Sequence, residues 1–149
     1  MLEAVAAGAA ASGVFGNVTL GPGGVACDAK ASPAPAQYRI TAETGRVYVE
    51  VTTADRWLSH SIEADLLNTG DSLGELIDEE LVELGAAPLH GTGTPAKVEH
   101  FRNDDKLFVF RSLISPGMAG RPSEVSLILR AYEACFGKLG DMSAGESEA

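Results

Sequence analysis

The strongest constraint on the fold is a stretch of alternating residues between positions 37 and 53. Apolar side chains occupy every second position on both sides of a short break, at Tyr38, Ile40, Ala42, Val47, Val49 and Val51. The break is Glu43-Thr44-Gly45, a sequence typical of a turn. Alternation with period two places one face of each segment in a core. The pattern therefore predicts an antiparallel hairpin over residues 37–53.

Two more pairs of segments have the same organisation. Residues 17–20 and 25–28 flank Gly21-Pro22-Gly23-Gly24, and residues 97–102 and 106–114 flank Asn103-Asp104-Asp105. The segment 106–114 is apolar on both faces, which is typical of a central strand. We therefore expect an antiparallel sheet of about five strands, built from hairpins.

Helical patterns lie before, between and after these hairpins. Residues 2–11 are rich in alanine and predict a short helix, with an unstructured tail as the alternative. Asp55 begins a segment in which Leu58, Ile62 and Leu66 recur every four residues, although part of 55–70 is also compatible with a strand. Ser72 and Glu75 have the spacing of a capping box and predict a helix that ends near Gly85. Residues 123–139 form a last, amphipathic helix.

These elements predict one α+β domain over residues 1–149, with 1–16 and 141–149 as candidates for flexible ends. The chain is long enough to bury a core. No apolar run reaches the roughly 18–20 residues that span a bilayer. The first residues carry no basic side chain, unlike a signal peptide, so we expect a cytoplasmic protein.

Negative charge is concentrated in the middle of the sequence. The formal net charge is −10, and residues 55–84 contain nine acidic residues and one basic residue. This balance argues against binding to nucleic acid or to an anionic membrane, since both attract clustered basic side chains. We predict an acidic face on the second middle helix, formed by Glu75, Asp78, Glu79 and Glu83. It is either a solvated helix surface or a surface for a partner.

No catalytic, cofactor or metal motif stands out. The loop Gly91-Thr92-Gly93-Thr94 lacks the lysine and the helix of a phosphate-binding loop. His60, His90 and His100 do not have metal-ligand spacing, and we expect His60 on a helix surface and His100 in a strand. We therefore predict no catalytic residue, cofactor or metal site.

The two cysteines and the single tryptophan have different surroundings in the sequence. Cys135 lies among apolar residues and is expected to be buried, whereas Cys27 follows a glycine-rich turn and is expected to be more exposed. Trp57 is expected to anchor the core, with a place on a partner surface as the alternative.

The order of these elements, with the acidity and the final helix, resembles the type III secretion chaperone fold. Small acidic effector chaperones and YbjN-like bacterial proteins share that fold. The resemblance rests on residues 47–51, 72–84, 106–114 and 123–139. Within it, Phe101-Arg102-Asn103-Asp104-Asp105-Lys106-Leu107-Phe108-Val109-Phe110 and Ala131-Tyr132-Glu133-Ala134-Cys135-Phe136 are the most similar phrases.

The resemblance implies a non-enzymatic homodimer that binds an extended or unfolded segment of a protein client. The alternative is a YbjN-like regulatory or sensory domain with a folded partner, and a small enzyme of unrecognised type is a further possibility. The broadly apolar last helix needs a cover. We therefore hypothesise that Ile128, Tyr132 and Phe136 lie at a self-association surface. A partner surface is likewise the hypothesis for Trp57 where it does not anchor the core.

Overall fold

Six antiparallel strands form a single sheet in the part of the chain that the structure describes. The structure is a computed structural model and describes residues 2–21, 24–30, 35–69, 73–90 and 97–139, without the side chains of 67–69. The strands are β1 (Phe15–Gly21), β2 (Gly24–Ala29), β3 (Ala36–Glu43), β4 (Arg46–Thr53), β5 (Glu99–Arg102) and β6 (Phe108–Leu113). The helices are α1 (Leu2–Ser12), α2 (Arg56–Thr69), α3 (Leu73–Glu83), α4 (Pro116–Ala119) and α5 (Pro122–Phe136).

The predicted α+β class and all three hairpins are confirmed, and the sheet has six strands where about five were expected. The strand order is β1-β2-β3-β4-β6-β5. The chain therefore leaves β4, forms α2 and α3, and re-enters the sheet at its far edge before β6 pairs with β4. In the β3–β4 hairpin Thr44 and Gly45 both have positive φ angles, 46° and 78°, as a two-residue turn of the right twist requires.

The core lies between one face of the sheet and the helices. Tyr38, Ile40, Val49 and Val51 alternate toward this face and are buried, as their spacing predicts. Tyr48 and Val109 are buried on the opposite face and are not part of the core cluster. The described part of the molecule is therefore a two-layer arrangement, with the helices on one side of the sheet.

The last helix occupies the centre of this core. It packs against the sheet and also contacts α1 and α3. Ile128, Tyr132 and Phe136 have no exposed surface. Their hypothesised position at a self-association surface is corrected, because the sheet and helices of the same chain already cover them.

The helices predicted at the start of the chain and after Asp55 are both confirmed, as α1 and α2. Val5 and Ala9 of α1 are buried, so Leu2–Ser12 is not an unstructured tail. The strand alternative for 55–70 is wrong over 56–69, because α2 begins where the Asp55 carboxylate accepts a hydrogen bond from the Leu58 N–H at 2.8 Å. Ser72, with its predicted capping box, and residues 141–149 lie outside the described residues.

Among the described residues, Gly24 is the one position where close packing of the sheet requires glycine. Its φ is +135°, and a Cβ atom there would stand 1.9 Å from the carbonyl oxygen of Ile40 on the neighbouring strand. No other residue fits without moving β2 away from β3. This glycine therefore fixes the start of β2.

Candidate functional site

An apolar groove lies between α2 and the edge strand β5. Its volume is about 620 Å³. The apolar residues that line it are Ala64, Leu66, Leu73, Val98 and Phe110. No strand within the described ranges pairs with the outer side of β5. The feature, called the β5 groove below, therefore combines an apolar surface with an open sheet edge.

The polar rim of the β5 groove is organised around Glu63. The His100 Nε2 lies 2.7 Å from Glu63 Oε1, and the His60 Nδ1 lies 4.0 Å from Glu63 Oε2. His100 Nδ1 is also 2.9 Å from the carbonyl oxygen of Val109, and its ring stacks on Phe110 with centroids 3.8 Å apart. Both ring nitrogens of His100 face acceptor oxygens, so the ring can donate to both only as the imidazolium.

The predictions for His60 and His100 are confirmed, since His60 is exposed on α2 and His100 lies in β5. Sequence reasoning missed that Glu63 brings them together. The i, i+3 spacing of His60 and Glu63 was a visible signal, but the approach of β5 to α2 depends on the fold. His90 lies beyond α3, in the loop before the undescribed residues 91–96.

Trp57 lies on the exposed surface of α2. Its exposed fraction is 76%, so the expectation that it anchors the core is wrong. The buried stripe of α2 contains Leu58, the residue directly after Trp57, and Ile62, one turn further along the helix. Trp57 instead shares a helix face with His60 and Ala64, which line the β5 groove. Trp57 is accessible, as the alternative of a partner surface requires, and that alternative stays a prediction.

Only part of the predicted acidic face is free helix surface. Glu75, Glu79 and Glu83 are exposed on α3, as predicted. Asp78 is half-buried, and its carboxylate accepts a hydrogen bond from the Leu89 N–H at 3.0 Å. Its assignment to the acidic face is corrected, because this contact ties the loop after α3 to the helix.

A second acid of α3 contributes to packing between helices. Glu80 accepts a hydrogen bond from Lys138 Nζ at 2.6 Å, just beyond α5. The same contact raises the pKa of Lys138. Its ammonium group is largely exposed, so solvent weakens the pair.

A second cavity, the polar cleft, lies on the face of the sheet without helices. Its volume is about 420 Å³, and its lining includes Glu43, Glu50, Phe101, Asp104, Val109 and Arg111. Glu50 is only 8% exposed, and burial raises its pKa, although the nearby Arg39 and Arg111 act in the opposite direction. Sequence reasoning assigned no role to Glu50, because an outward position on a strand predicts a solvated side chain.

Both cysteines are buried and unpaired. The prediction for Cys135 is confirmed, and the prediction that Cys27 is more exposed is wrong, because Cys27 points from β2 into the core. Burial raises the pKa of Cys27 to about 11 and that of Cys135 to about 12. Neither thiol is therefore an activated nucleophile.

Searches against known families and curated proteins return no match to this chain. Among the described residues, no three histidine, cysteine or acidic side chains are placed to hold a metal ion. The same residues include no helix that is long and apolar enough to cross a membrane.

Proposed function

We propose that the protein is a non-enzymatic binding module that receives an extended segment of a protein partner along β5. The observation that carries this proposal is the open edge of β5 beside the β5 groove. This resembles the action of a secretion chaperone on an unfolded client.

Strand addition supplies the physical basis. An unpaired edge presents backbone N–H and C=O groups to an incoming strand. Alternate side chains of that strand would then point toward the helices and enter the groove. β5 has only four residues, so its backbone offers few hydrogen bonds. The groove side chains, including Leu66, Leu73 and Phe110, would supply most of the affinity.

The exposed Trp57 extends the apolar surface on the α2 side. Tryptophan is enriched where partners bind, because its large ring buries much area. In this proposal it covers one end of the bound segment. The cytoplasm is the compartment we infer, since two buried free thiols suit a reducing environment.

A homodimer is also part of the proposal. Because Ile128, Tyr132 and Phe136 are buried within one chain, a dimer would use another surface. The exposed Val82 of α3 is the candidate, because Trp57 is assigned to the bound segment. Sedimentation equilibrium of the parent and of Val82→Ser tests this, and a parent that is monomeric at high concentration would contradict it.

The binding proposal is tested with short peptides in which valine alternates with serine. Trp57 is the only tryptophan, so its emission reports binding near α2 without a label. We expect a blue shift and saturable binding. N-methylation of alternate peptide nitrogens removes backbone donors and should weaken binding to an edge strand, with the groove contacts left in place.

Two variants localise the site. Ala64→Glu introduces a charge into the groove wall and should weaken peptide binding at least tenfold. Ala42→Glu makes the same change at an exposed position of β3 and serves as the control. Absence of peptide binding, or equal binding by both variants, would contradict the proposal.

A further inference from the structure

Glu50 is a buried carboxylate in the polar cleft, on the opposite side of the sheet from the β5 groove. It lies in β4, between Arg39 of β3 and Arg111 of β6 in the strand register. Its side chain is 10% exposed. A charged group this deeply buried normally has close partners, because desolvation is costly.

The partners of Glu50 leave much of its bonding capacity unused. Its one ion pair within the described residues is with Arg39, at 3.8 Å, which is too long for a hydrogen bond. A carboxylate can accept about four hydrogen bonds. Among the described residues, none therefore donates a hydrogen bond to this largely buried carboxylate, which lines the cleft.

Arg111 is held away from Glu50 by other contacts. Its guanidinium lies 3.4 Å from Glu43 and 3.4 Å from Glu99. It also stacks over the rings of Tyr48 and Phe101, at 4.1 Å and 4.9 Å from their centroids. Four groups thus fix Arg111, and it stabilises the ionised form of Glu50 through its charge only.

The charged residues that line the cleft carry an excess of negative charge. The residues that line the cleft include three carboxylates, of Glu43, Glu50 and Asp104, and two guanidinium groups, of Arg102 and Arg111. Three negative charges against two positive charges give the lining a net charge of −1. A single added cation would neutralise the cluster.

We propose that the polar cleft binds an alkylammonium group, with the nitrogen donating to Glu50 and the carbon chain lying on Phe101. An ammonium is a compact cation with three donors on a flexible stem. It can reach a carboxylate whose flanks are occupied by arginine side chains. Phe101, which is half-buried, supplies the apolar surface for the stem.

The test measures binding of 1,4-diaminobutane by calorimetry and by the amide NMR signals of Glu50 and Val109. 1,4-Butanediol has the same carbon chain without charge and is the matched ligand control. We expect the diamine to shift both signals and the diol to leave them unchanged. Equal binding of diol and diamine, or no binding of the diamine, would overturn the proposal.

Two variants of equal charge assign the site. Glu50→Gln should weaken diamine binding at least tenfold, whereas Glu75→Gln on α3 should leave it unchanged. Circular dichroism melts confirm that both variants are folded. Diamine binding that is the same in Glu50→Gln and in the parent would refute the assignment to this carboxylate.

A third ligand identifies the source of the ammonium group. Nα-acetyl-lysine amide carries the same cation as a protein side chain. Tighter binding of this compound than of the diamine supports a lysine of a protein partner, and weaker binding supports a free amine. Because the cleft lies on the opposite face from the β5 groove, these results are independent of strand addition.

Discussion

The hydroxyl oxygens of Ser112 and Tyr132 lie 2.6 Å apart in the core, where they join β6 to α5. Both residues are buried, with exposed fractions of 1% and 0%. Burial raises the pKa of Tyr132, so the phenol remains neutral. The hydrogen bond fixes the position of the last helix on the sheet by a polar contact inside an apolar layer.

For each hydroxyl group removed, the loss in the free energy of unfolding should be larger when one partner of this pair is removed than when both are. Tyr132→Phe leaves the buried Ser112 hydroxyl without its partner, and we expect a loss of about 1–3 kcal/mol in the free energy of unfolding. Ser112→Ala should give a loss of similar size. The double variant should lose less than the sum of the two. Urea denaturation measures all three, and strict additivity would contradict the coupling.

Gly24→Ala should destabilise the sheet strongly. The added Cβ would collide with the Ile40 carbonyl, and the positive φ adds backbone strain. We expect a loss of about 3 kcal/mol or more. Gly21→Ala is the control, because a Cβ at Gly21 meets nothing within 4 Å. Thermal unfolding that is equal for the two variants would show that β2 adjusts freely.

The acids of α3 should differ in their effect on stability. Asp78→Ala removes the acceptor for the Leu89 N–H and should cost about 1 kcal/mol. The triple change of Glu75, Glu79 and Glu83 to Gln alters exposed side chains only and should stay within about 0.5 kcal/mol of the parent. Chemical denaturation distinguishes the two. A large loss in the triple variant would mean that the exposed acids support the fold.

Glu50→Gln should stabilise the protein at neutral pH. Burial raises the pKa of Glu50, so folding disfavours its ionised form. The folded state therefore loses stability as the pH rises through this raised pKa, and the variant lacks that loss. Below the ordinary pKa of a glutamate the advantage should vanish. Melting temperatures of both proteins across pH provide the measurement. A variant that is less stable than the parent at pH 7 would show that the pair with Arg39 outweighs desolvation.

Local patterns predicted the hairpins well. The two segments around Thr44-Gly45 alternate with period two, and each residue of that turn adopts the positive φ that the turn needs. The apolar stripe of α3, which buries Ile77 and Leu81, and the cap of α2 at Asp55 also depend on neighbours in sequence. Such features are fixed by backbone geometry within a few residues.

The positions of single side chains were harder to predict. Trp57 lies one residue from the buried Leu58, and a helix turns by about 100° per residue. That one step places the tryptophan outside and the leucine inside. Cys27 was misjudged for a related reason, since the glycine-rich turn beside it does not reveal which face of β2 is covered.

By itself the sequence determined the α+β class, the three hairpins, most of the helices and the concentration of acidic residues in 55–84. The tertiary structure alone decided that α5 is covered within its own chain, that Glu63 lies between His60 and His100, and that Glu50 is buried beside Arg39. The physical reason is distance along the chain. Hairpins and caps depend on residues a few positions apart, whereas these contacts depend on strand order and on where α2 and α5 pack.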